Sequence, residues 1–285
     1  MADRSPAATR KRVAAAEALA ARLPGLLLAA QRLAAGAASG RHGRRRAGSG
    51  EQFWQYRDLR DGDAPRSIDW RRSARGERLY IREREWEAVE TLVIDVDDRP
   101  GMEFASKPGR ETKRDRALIL ALALAALALD GGERIALFGR TPSLAGPGAL
   151  GRLAAGLLLP PTATPCTGRL AVIGDWLDPP EDIRADLAAR GAATRGGVLV
   201  QVLDGAECDF PFHGRVLFEQ PGGAAREDVA RAEAVAAAYR DRIAAQRAIV
   251  AAAAEAVGLV PLFHRTDAPP GPALAAIRAA LDPRG

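Results

Sequence analysis

The sequence contains few of the residues from which disulfide frameworks and zinc motifs are built. Its 285 residues include two cysteines, Cys166 and Cys208, and no Cys-x-x-Cys pair. Two cysteines so far apart exclude a disulfide-stapled scaffold and a cysteine-type structural zinc site. We therefore expect the protein to work in a reducing compartment, the cytoplasm.

Short motifs of several enzyme classes are also missing. The three histidines, His42, His213 and His264, show neither the His-x-His nor the His-Glu-x-x-His spacing of zinc enzymes. No Gly-x-Ser-x-Gly element occurs, and no Gly-Lys-Ser or Gly-Lys-Thr follows the glycines of residues 139–151. These absences argue against metalloprotease, serine hydrolase and P-loop nucleotide-binding functions.

Long apolar segments are absent as well. No apolar run reaches the ~18 residues that a membrane-spanning helix needs. The segment 13–38 is interrupted by charged residues and by Pro24, and the shorter run 117–129 is typical of a buried helix. The N-terminus has basic residues but no continuous apolar stretch, so we expect neither a signal peptide nor membrane insertion.

The formal net charge of +5 is unevenly distributed. Residues 1–50 carry ten Lys/Arg and two acids, a charge of +8, whereas the other 235 residues carry 31 Lys/Arg and 34 acids, a charge of −3. A basic surface over the whole protein is therefore excluded. Nucleic-acid contact remains an alternative only for the basic residues 1–50, where the cluster 41–46 is otherwise interpreted as a linker or a strap on an acidic surface.

Composition divides the chain into three predicted parts. Residues 1–40 have helical spacing interrupted by Pro24-Gly25, which predicts an N-terminal helical arm of two short amphipathic helices. Residues 41–90 form a small module rich in Arg, Asp and Trp that we expect to contain β-structure. Residues 91–285 form the main domain.

Short apolar strands alternate with helices throughout the main domain. Because strands that are apolar on both faces need helices on both sides, this alternation predicts an α/β domain with a doubly wound, mostly parallel, Rossmann-like sheet. The predicted strands cover residues 92–96, 135–138, 170–173, 198–203 and 259–263. The predicted helices cover residues 114–129, 149–158, 181–189, 226–256 and 272–281.

Three aspartates, Asp97, Asp175 and Asp204, follow closely after predicted strands. Ligands of open α/β sheets bind at the carboxyl ends of the strands. Each aspartate alone could equally cap a helix or stabilise a turn. Together they indicate a cation or polar-ligand site, in which Asp97 and Asp175 are the candidate Mg²⁺ ligands.

Two chemistries compete for the segment 91–102, which reads TLVIDVDDRPGM. One is a Mg²⁺-dependent phosphohydrolase of the haloacid dehalogenase type, with Asp95 or Asp97 as nucleophile. The other is the metal-ion-dependent adhesion site, Asp-x-Ser-x-Ser, whose frame places Arg99 and Gly101 at the two hydroxyl positions. Both hydroxyls are missing, so this adhesion site is degenerate. We expect the Arg99 guanidinium to replace the cation by pairing with Asp97 or Asp175.

The segment 58–75, DLRDGDAPRSIDWRRSAR, interleaves arginines with aspartates. Opposed charges at this density favour a self-paired structural network, with an arginine-rich partner surface as the alternative. Gly62-Asp63 is typical of a turn, and Ile68 and Trp70 are expected on one strand face. The candidate residues of this module are Arg57, Gly62, Asp63, Arg66, Asp69, Trp70, Ser73 and Arg75.

These motifs resemble the domain-of-unknown-function 58 family. The resemblance rests on Gly50-x-x-Phe53-Trp54, Ile68-Asp69-Trp70 and Ser73-Ala74-Arg75. Further matches lie at 80–87, 131–135, 173–179, 201–204, 210–215 and 264–267. It implies a bacterial protein with a von Willebrand factor A-like domain and no catalytic activity. It also implies a protein partner, either a MoxR-type AAA+ ATPase or a client of one. Apart from the candidate Mg²⁺, we expect no resident cofactor. The expected function is that of an interaction or assembly factor acting through Asp97, Arg99, Gly101, Asp175 and Asp204.

Overall fold

The computed structural model describes residues 6–39, 53–59, 68–74, 78–84, 90–164, 166–220 and 225–282. The chain divides into two compact units, one formed by residues 1–42 with 90–285 and one by residues 43–89. The predicted helical arm therefore groups with the main domain. In chain order the elements are α1 (Pro6–Ser39), β1 (Phe53–Asp58), α2 (Trp70–Ser73), β2 (Tyr80–Arg84), β3 (Thr91–Val96), α3 (Lys113–Asp130), β4 (Arg134–Leu137), α4 (Ala149–Gly156), β5 (Arg169–Gly174), α5 (Pro180–Gly191), β6 (Gly197–Leu203), α6 (Gly205–Asp209), β7 (Val216–Glu219), β8 (Arg226–Val229), α7 (Ala232–Ala256), β9 (Leu259–Arg265) and α8 (Pro270–Leu281).

The larger unit is built on a parallel five-stranded sheet with the order β4-β3-β5-β6-β9. Alternate residues of β3 enter two separate cores. Ile94 packs with α1, α3, α4 and α8 on one face, and Val93 packs with α5 and α7 on the other. The prediction of a doubly wound, Rossmann-like α/β domain is confirmed.

Helix α1 corrects the prediction of two short helices. It runs unbroken through Pro24 for 34 residues. A proline inside a helix costs roughly 3 kcal/mol, because its ring displaces a backbone hydrogen bond. Burial of one apolar stripe offsets this cost, since α1 lies along α3 and α8. The buried stripe consists of Leu19, Leu23, Leu26, Ala30 and Ala34.

Arg22 adds a polar contact between the same two helices. Its Nη1 donates to both carboxylate oxygens of Asp115 in α3, at 2.9 and 3.1 Å. Its Nη2 lies 3.3 Å from Glu103, the last residue of the short 3₁₀ helix Pro100–Glu103 that precedes α3. None of the described helices is long and apolar enough to cross a bilayer.

The helix predicted to begin at residue 226 begins instead at Ala232. Residues 226–229 form β8, which pairs antiparallel with β7. In the hairpin, Arg226 pairs with Glu219 at 2.9 Å, and Arg215 pairs with Asp228. Three of the four residues 226–229 are charged, so a helix starting at residue 226 would have had little apolar surface in its first turn.

The smaller unit contains the antiparallel pair β1–β2 and the one-turn helix α2. Asp69 caps α2 by accepting a hydrogen bond from the Arg72 backbone at 2.9 Å. The expectation that Ile68 and Trp70 share a strand face was wrong. Trp70 begins the helix and is 62% exposed, because the cap at Asp69 turns the chain out of an extended conformation.

We expect Leu19→Ala to destabilise the larger unit by about 2–5 kcal/mol, because Leu19 is 1% exposed in the α1–α3 interface. Leu28→Ala is the matched control in the same helix, where the side chain is 47% exposed. That change should cost less than about 0.5 kcal/mol. Urea unfolding of both variants measures the difference, and equal losses would show that α1 is not held by this stripe.

Candidate functional site

The carboxyl edge of the sheet brings the predicted site residues to one side of the larger unit. Asp97, Asp175 and Asp204 directly follow β3, β5 and β6. These three strands are neighbours in the sheet, so the loops that follow them are adjacent. The side chains are nevertheless held by different partners.

Arg99 binds the carboxylate of Asp97. Its Nε donates to Oδ1 and Oδ2 of Asp97 at 2.9 and 3.0 Å, and its Nη2 donates to Oδ2 at 2.7 Å. The Arg99 backbone N–H also donates to Oδ1 at 2.9 Å. Through Nη1, the same guanidinium donates to Asp178 in the loop after β5. One arginine therefore forms ion pairs with two aspartates and joins two loops.

Lys113, the first residue of α3, joins the segments that follow β5 and β6 in the same way. Its Nζ donates to Oδ2 of Asp175 at 2.9 Å and to Oε1 of Glu207 at 2.6 Å. The lysine side chain is 1% exposed, and its ammonium lies 5.7 Å from the centre of the Phe104 ring. Of the two predicted partners of Arg99, Asp97 is thus the one that it binds, and Asp175 pairs with a lysine.

We call these six residues, Asp97, Arg99, Lys113, Asp175, Asp178 and Glu207, the ion-paired edge. The carboxylates of this edge raise the pKa of both cations. Burial alone would lower the pKa of Lys113, but Asp175 and Glu207 outweigh it, so the pKa lies above its usual range. The pKa of Arg99 is raised in the same way. Desolvation alone would lower it, but the hydrogen bonds and negative charges of Asp97 and Asp178 have the larger effect. Both cations remain charged at neutral pH.

Asp204 serves the local structure of the next loop. Its Oδ1 accepts from the Ala206 backbone at 2.8 Å, and its own N–H donates to Glu207 at 2.8 Å, which completes a capping box for α6. Its Oδ2 accepts from Ser106 N at 3.2 Å and Thr266 Oγ1 at 3.3 Å. Burial would raise the pKa of Asp204, but these hydrogen bonds outweigh it and the pKa is lowered.

Gly101 allows Asp175 to approach the backbone closely. A Cβ atom at residue 101 would lie 2.8 Å from Oδ2 of Asp175, the oxygen that accepts from Lys113. A side chain at this position would displace that carboxylate. Glycine at the second hydroxyl position of the adhesion-site motif therefore leaves the space that the Asp175 carboxylate occupies.

The loop after β5 is fixed by two glutamines. Gln201 Nε2 donates to the carbonyl of Asp175 at 2.8 Å, and Gln246 Nε2 donates to the carbonyls of Trp176 and Asp178 at 2.9 Å each. Trp176 is buried with a left-handed φ of 52°. Such a backbone is costly for a bulky residue and persists only where the surroundings enforce it. The guanidinium carbon of Arg99 lies 5.9 Å from the Trp176 ring centre.

Asp95, the alternative nucleophile, is engaged on the α5 face of the sheet. Arg190 Nε donates to its Oδ2 at 2.6 Å. Burial raises the pKa of Asp95, although the adjacent Arg190 acts in the opposite direction. Asp95 and Asp97 are therefore held by two different arginines.

The residues of the predicted signature module lie in the smaller unit. Ser73 is buried, and its Oγ accepts from the Tyr80 backbone at 2.9 Å, which ties α2 to β2. Arg57 belongs to β1. Arg78 and Asp58 form an exposed ion pair at 3.5 Å. The candidates outside the described residues are Gly62, Asp63, Arg66 and Arg75.

A divalent cation at Asp97 and Asp175 would need carboxylate oxygens that are free to coordinate it. Mg²⁺ requires several oxygen ligands in near-octahedral geometry. Both oxygens of Asp97 already accept from Arg99, and Oδ2 of Asp175 accepts from Lys113. Among the described residues, no three Asp, Glu, His or Cys side chains converge in a metal-binding arrangement. As arranged here, these residues do not fit the metal.

The structure adds three members of the ion-paired edge that sequence reasoning missed: Lys113, Asp178 and Glu207. Lys113 had a signal, because it is one of three lysines in the chain and directly follows the helix-capping Thr112. Asp178 lies in the segment 173–179, which is one of the matches to the family motifs. Glu207 had only a local signal, three residues after Asp204 as a capping box requires.

His264 near the end of β9 is a further buried titratable group at this edge. Its Nε2 lies 3.0 Å from Arg116 Nη1, and Arg116 also contacts Glu111 and the carbonyl of Ala268. Burial, together with the positive charge of Arg116, lowers the pKa of His264 to about 4.

Comparison with known proteins returned one family. Residues 55–163 match the model of the family described as "Protein of unknown function DUF58". The match runs from β1 to the segment before β5, and it confirms over these residues the resemblance indicated by the sequence motifs. No curated protein matched the chain, and no solved structure did.

We expect His264 to make stability depend on pH between 6.5, its ordinary pKa, and about 4, its folded pKa. In this window the unfolded chain binds a proton that the folded chain does not. Stability is therefore lost as the pH falls, by up to about 1.4 kcal/mol per pH unit.

The test compares chemical unfolding of wild type and His264→Gln from pH 7 to pH 4. The stability difference in favour of the wild type should shrink as the pH falls. His213→Gln, at an exposed histidine, is the matched control. A wild-type-to-His264→Gln difference that stays constant with pH would contradict the assignment.

Proposed function

We propose, from the match of residues 55–163 to the DUF58 family, that this protein is a non-catalytic interaction or assembly factor. It would bind a protein partner at the ion-paired edge, in the cytoplasm of a bacterium. The resemblance suggests a MoxR-type AAA+ ATPase, or a client of one, as that partner. The supporting observation is that Asp97 and Asp175, the acids predicted to form the site, are both neutralised by cations of the chain itself.

This pairing argues against acid–base or nucleophilic chemistry at the edge. A carboxylate that attacks a substrate or removes a proton needs at least one accessible, uncommitted oxygen. Both oxygens of Asp97 accept hydrogen bonds from Arg99, and the side chain is buried. Asp175 is likewise buried beside Lys113. These groups are suited to fixing loops in place.

The outer part of the edge offers a surface for protein contact. Arg99 is 40% exposed, and its partner Asp178 is half-buried. Leu177, the residue before Asp178, is 38% exposed on a loop held by Gln246. Its apolar side chain, next to fixed charges on this loop, would be a contact point for the partner. A von Willebrand factor A-like domain with a degenerate adhesion site would use the same edge.

A phosphohydrolase of the haloacid dehalogenase type is the second candidate. Lys113 favours it, because a lysine beside the aspartates would balance the negative charge of a bound phosphate group. p-Nitrophenyl phosphate with Mg²⁺ is the test substrate. We expect no turnover above background, whereas turnover that is lost in Asp97→Asn would replace the interaction proposal.

Nucleic-acid contact through the basic residues 1–50 is examined by a gel shift at moderate salt. The triple variant Arg44→Gln, Arg45→Gln, Arg46→Gln removes three of the four arginines of the cluster 41–46 and leaves the sequence of α1 unchanged. A shift by the wild type that this variant loses would favour the nucleic-acid alternative.

We predict that the purified protein binds the MoxR-type ATPase of its own organism in the presence of ATP. Leu177→Asp should weaken this binding about tenfold or more, because it introduces a charge at the centre of the surface. Leu217→Asp on β7, where Leu217 is 55% exposed, is the matched control and should leave affinity unchanged. Biolayer interferometry measures both. Absence of wild-type binding, or equal losses in the two variants, would contradict the proposal.

A further inference from the structure

We infer that Lys113 and Arg99 are tethered cations that take the place of a divalent metal ion at this edge, so that the edge is assembled without Mg²⁺ and is not regulated by it. The functional meaning of this inference rests on the proposed function. Its test uses the purified chain alone, so that the two can fail separately.

Lys113 does what a bound metal ion would do between the loops. Its ammonium contacts one carboxylate from the loop after β5 and one from α6 after β6, at 2.9 and 2.6 Å. The group comes from the start of α3, which is fixed by the capping Thr112 and by packing on the sheet. A positive charge therefore links three elements, as a shared metal ion does.

The oxygens around Lys113 are almost fully committed to it and to the backbone. Glu207 accepts a hydrogen bond from Lys113 at Oε1 and one from the Asp204 N–H at Oε2. Asp175 accepts a hydrogen bond from Lys113 at Oδ2, and this oxygen is held close to Gly101. A metal ion could enter here only by displacing the ammonium from a buried position.

Arg99 extends the same arrangement outward. It neutralises Asp97 with three side-chain contacts and reaches Asp178 with a fourth. The ion-paired edge thus has four carboxylates, those of Asp97, Asp175, Asp178 and Glu207, and each of its two built-in cations contacts two of them. Because these cations are covalently part of the chain, dilution or chelators cannot remove them.

This arrangement makes a latent metal site. Removing the ammonium of Lys113 would leave Asp175 and Glu207 buried and unpaired, which is strongly destabilising. A divalent cation from solution would then relieve the repulsion and stabilise the folded chain by mass action. Wild type, with the position already filled, should show no such response.

The experiment measures thermal unfolding of wild type, Lys113→Met and Lys107→Met with increasing MgCl₂, at ionic strength held constant with NaCl. Methionine keeps most of the lysine volume without the charge. We expect Lys113→Met to unfold at a lower Tm than wild type. Its Tm should rise by about 5 °C or more once Mg²⁺ exceeds its Kd a hundredfold. Wild type and Lys107→Met, which alters an exposed lysine, should not respond.

Two results would overturn the inference. One is saturable Mg²⁺ binding by wild type in isothermal titration calorimetry that is lost in Asp97→Asn. The other is a Lys113→Met protein whose Tm responds to Mg²⁺ no more than that of Lys107→Met. If Lys113→Met does not fold, Arg99→Gln provides the same comparison at the half-exposed cation, and the wild-type titration decides independently.

Discussion

The carboxyl edge of this sheet is governed by one electrostatic constraint: buried carboxylates at neighbouring strand ends repel each other unless positive charge lies between them. A parallel sheet places the ends of β3, β5 and β6 side by side, and the chain puts Asp97, Asp175 and Glu207 there. Leaving such charges unpaired would cost several kcal/mol each. Lys113 and Arg99 satisfy the constraint from within the chain, and the geometry of the loops follows from their contacts.

Most of the fold could be predicted because its signals are local. The strands of the main domain are short apolar runs, and their alternation with helices leaves few possible topologies. The errors arose where tertiary contacts outweighed a local rule. Pro24 should end a helix, but the buried stripe along α3 keeps α1 continuous. Residues 226–229 have no strand pattern of their own, and pairing with β7 makes them one.

The candidate site was predictable in position but not in pairing. Aspartates after strands indicate the edge, and Arg99 in an adhesion-site frame indicates a replaced cation. That Lys113 would bind Asp175 depends on how the first turn of α3 packs over the sheet, which no sequence spacing specifies. The consequence is a site whose carboxylates are paired with cations of the chain itself before any ligand arrives. Such a site is suited to presenting a rigid surface rather than to recruiting a metal ion.

An NMR measurement of the protonation and solvent exchange of the Lys113 side chain tests this account most directly. Nitrogen-detected NMR of ¹⁵N-lysine-labelled protein is tractable because the chain has three lysines, and Lys113→Met assigns the signal. The account predicts a slowly exchanging Lys113 ammonium resonance at neutral pH that neither EDTA nor Mg²⁺ changes. A Lys113 signal that exchanges as fast as that of an exposed lysine, or that shifts on Mg²⁺ addition, would contradict it.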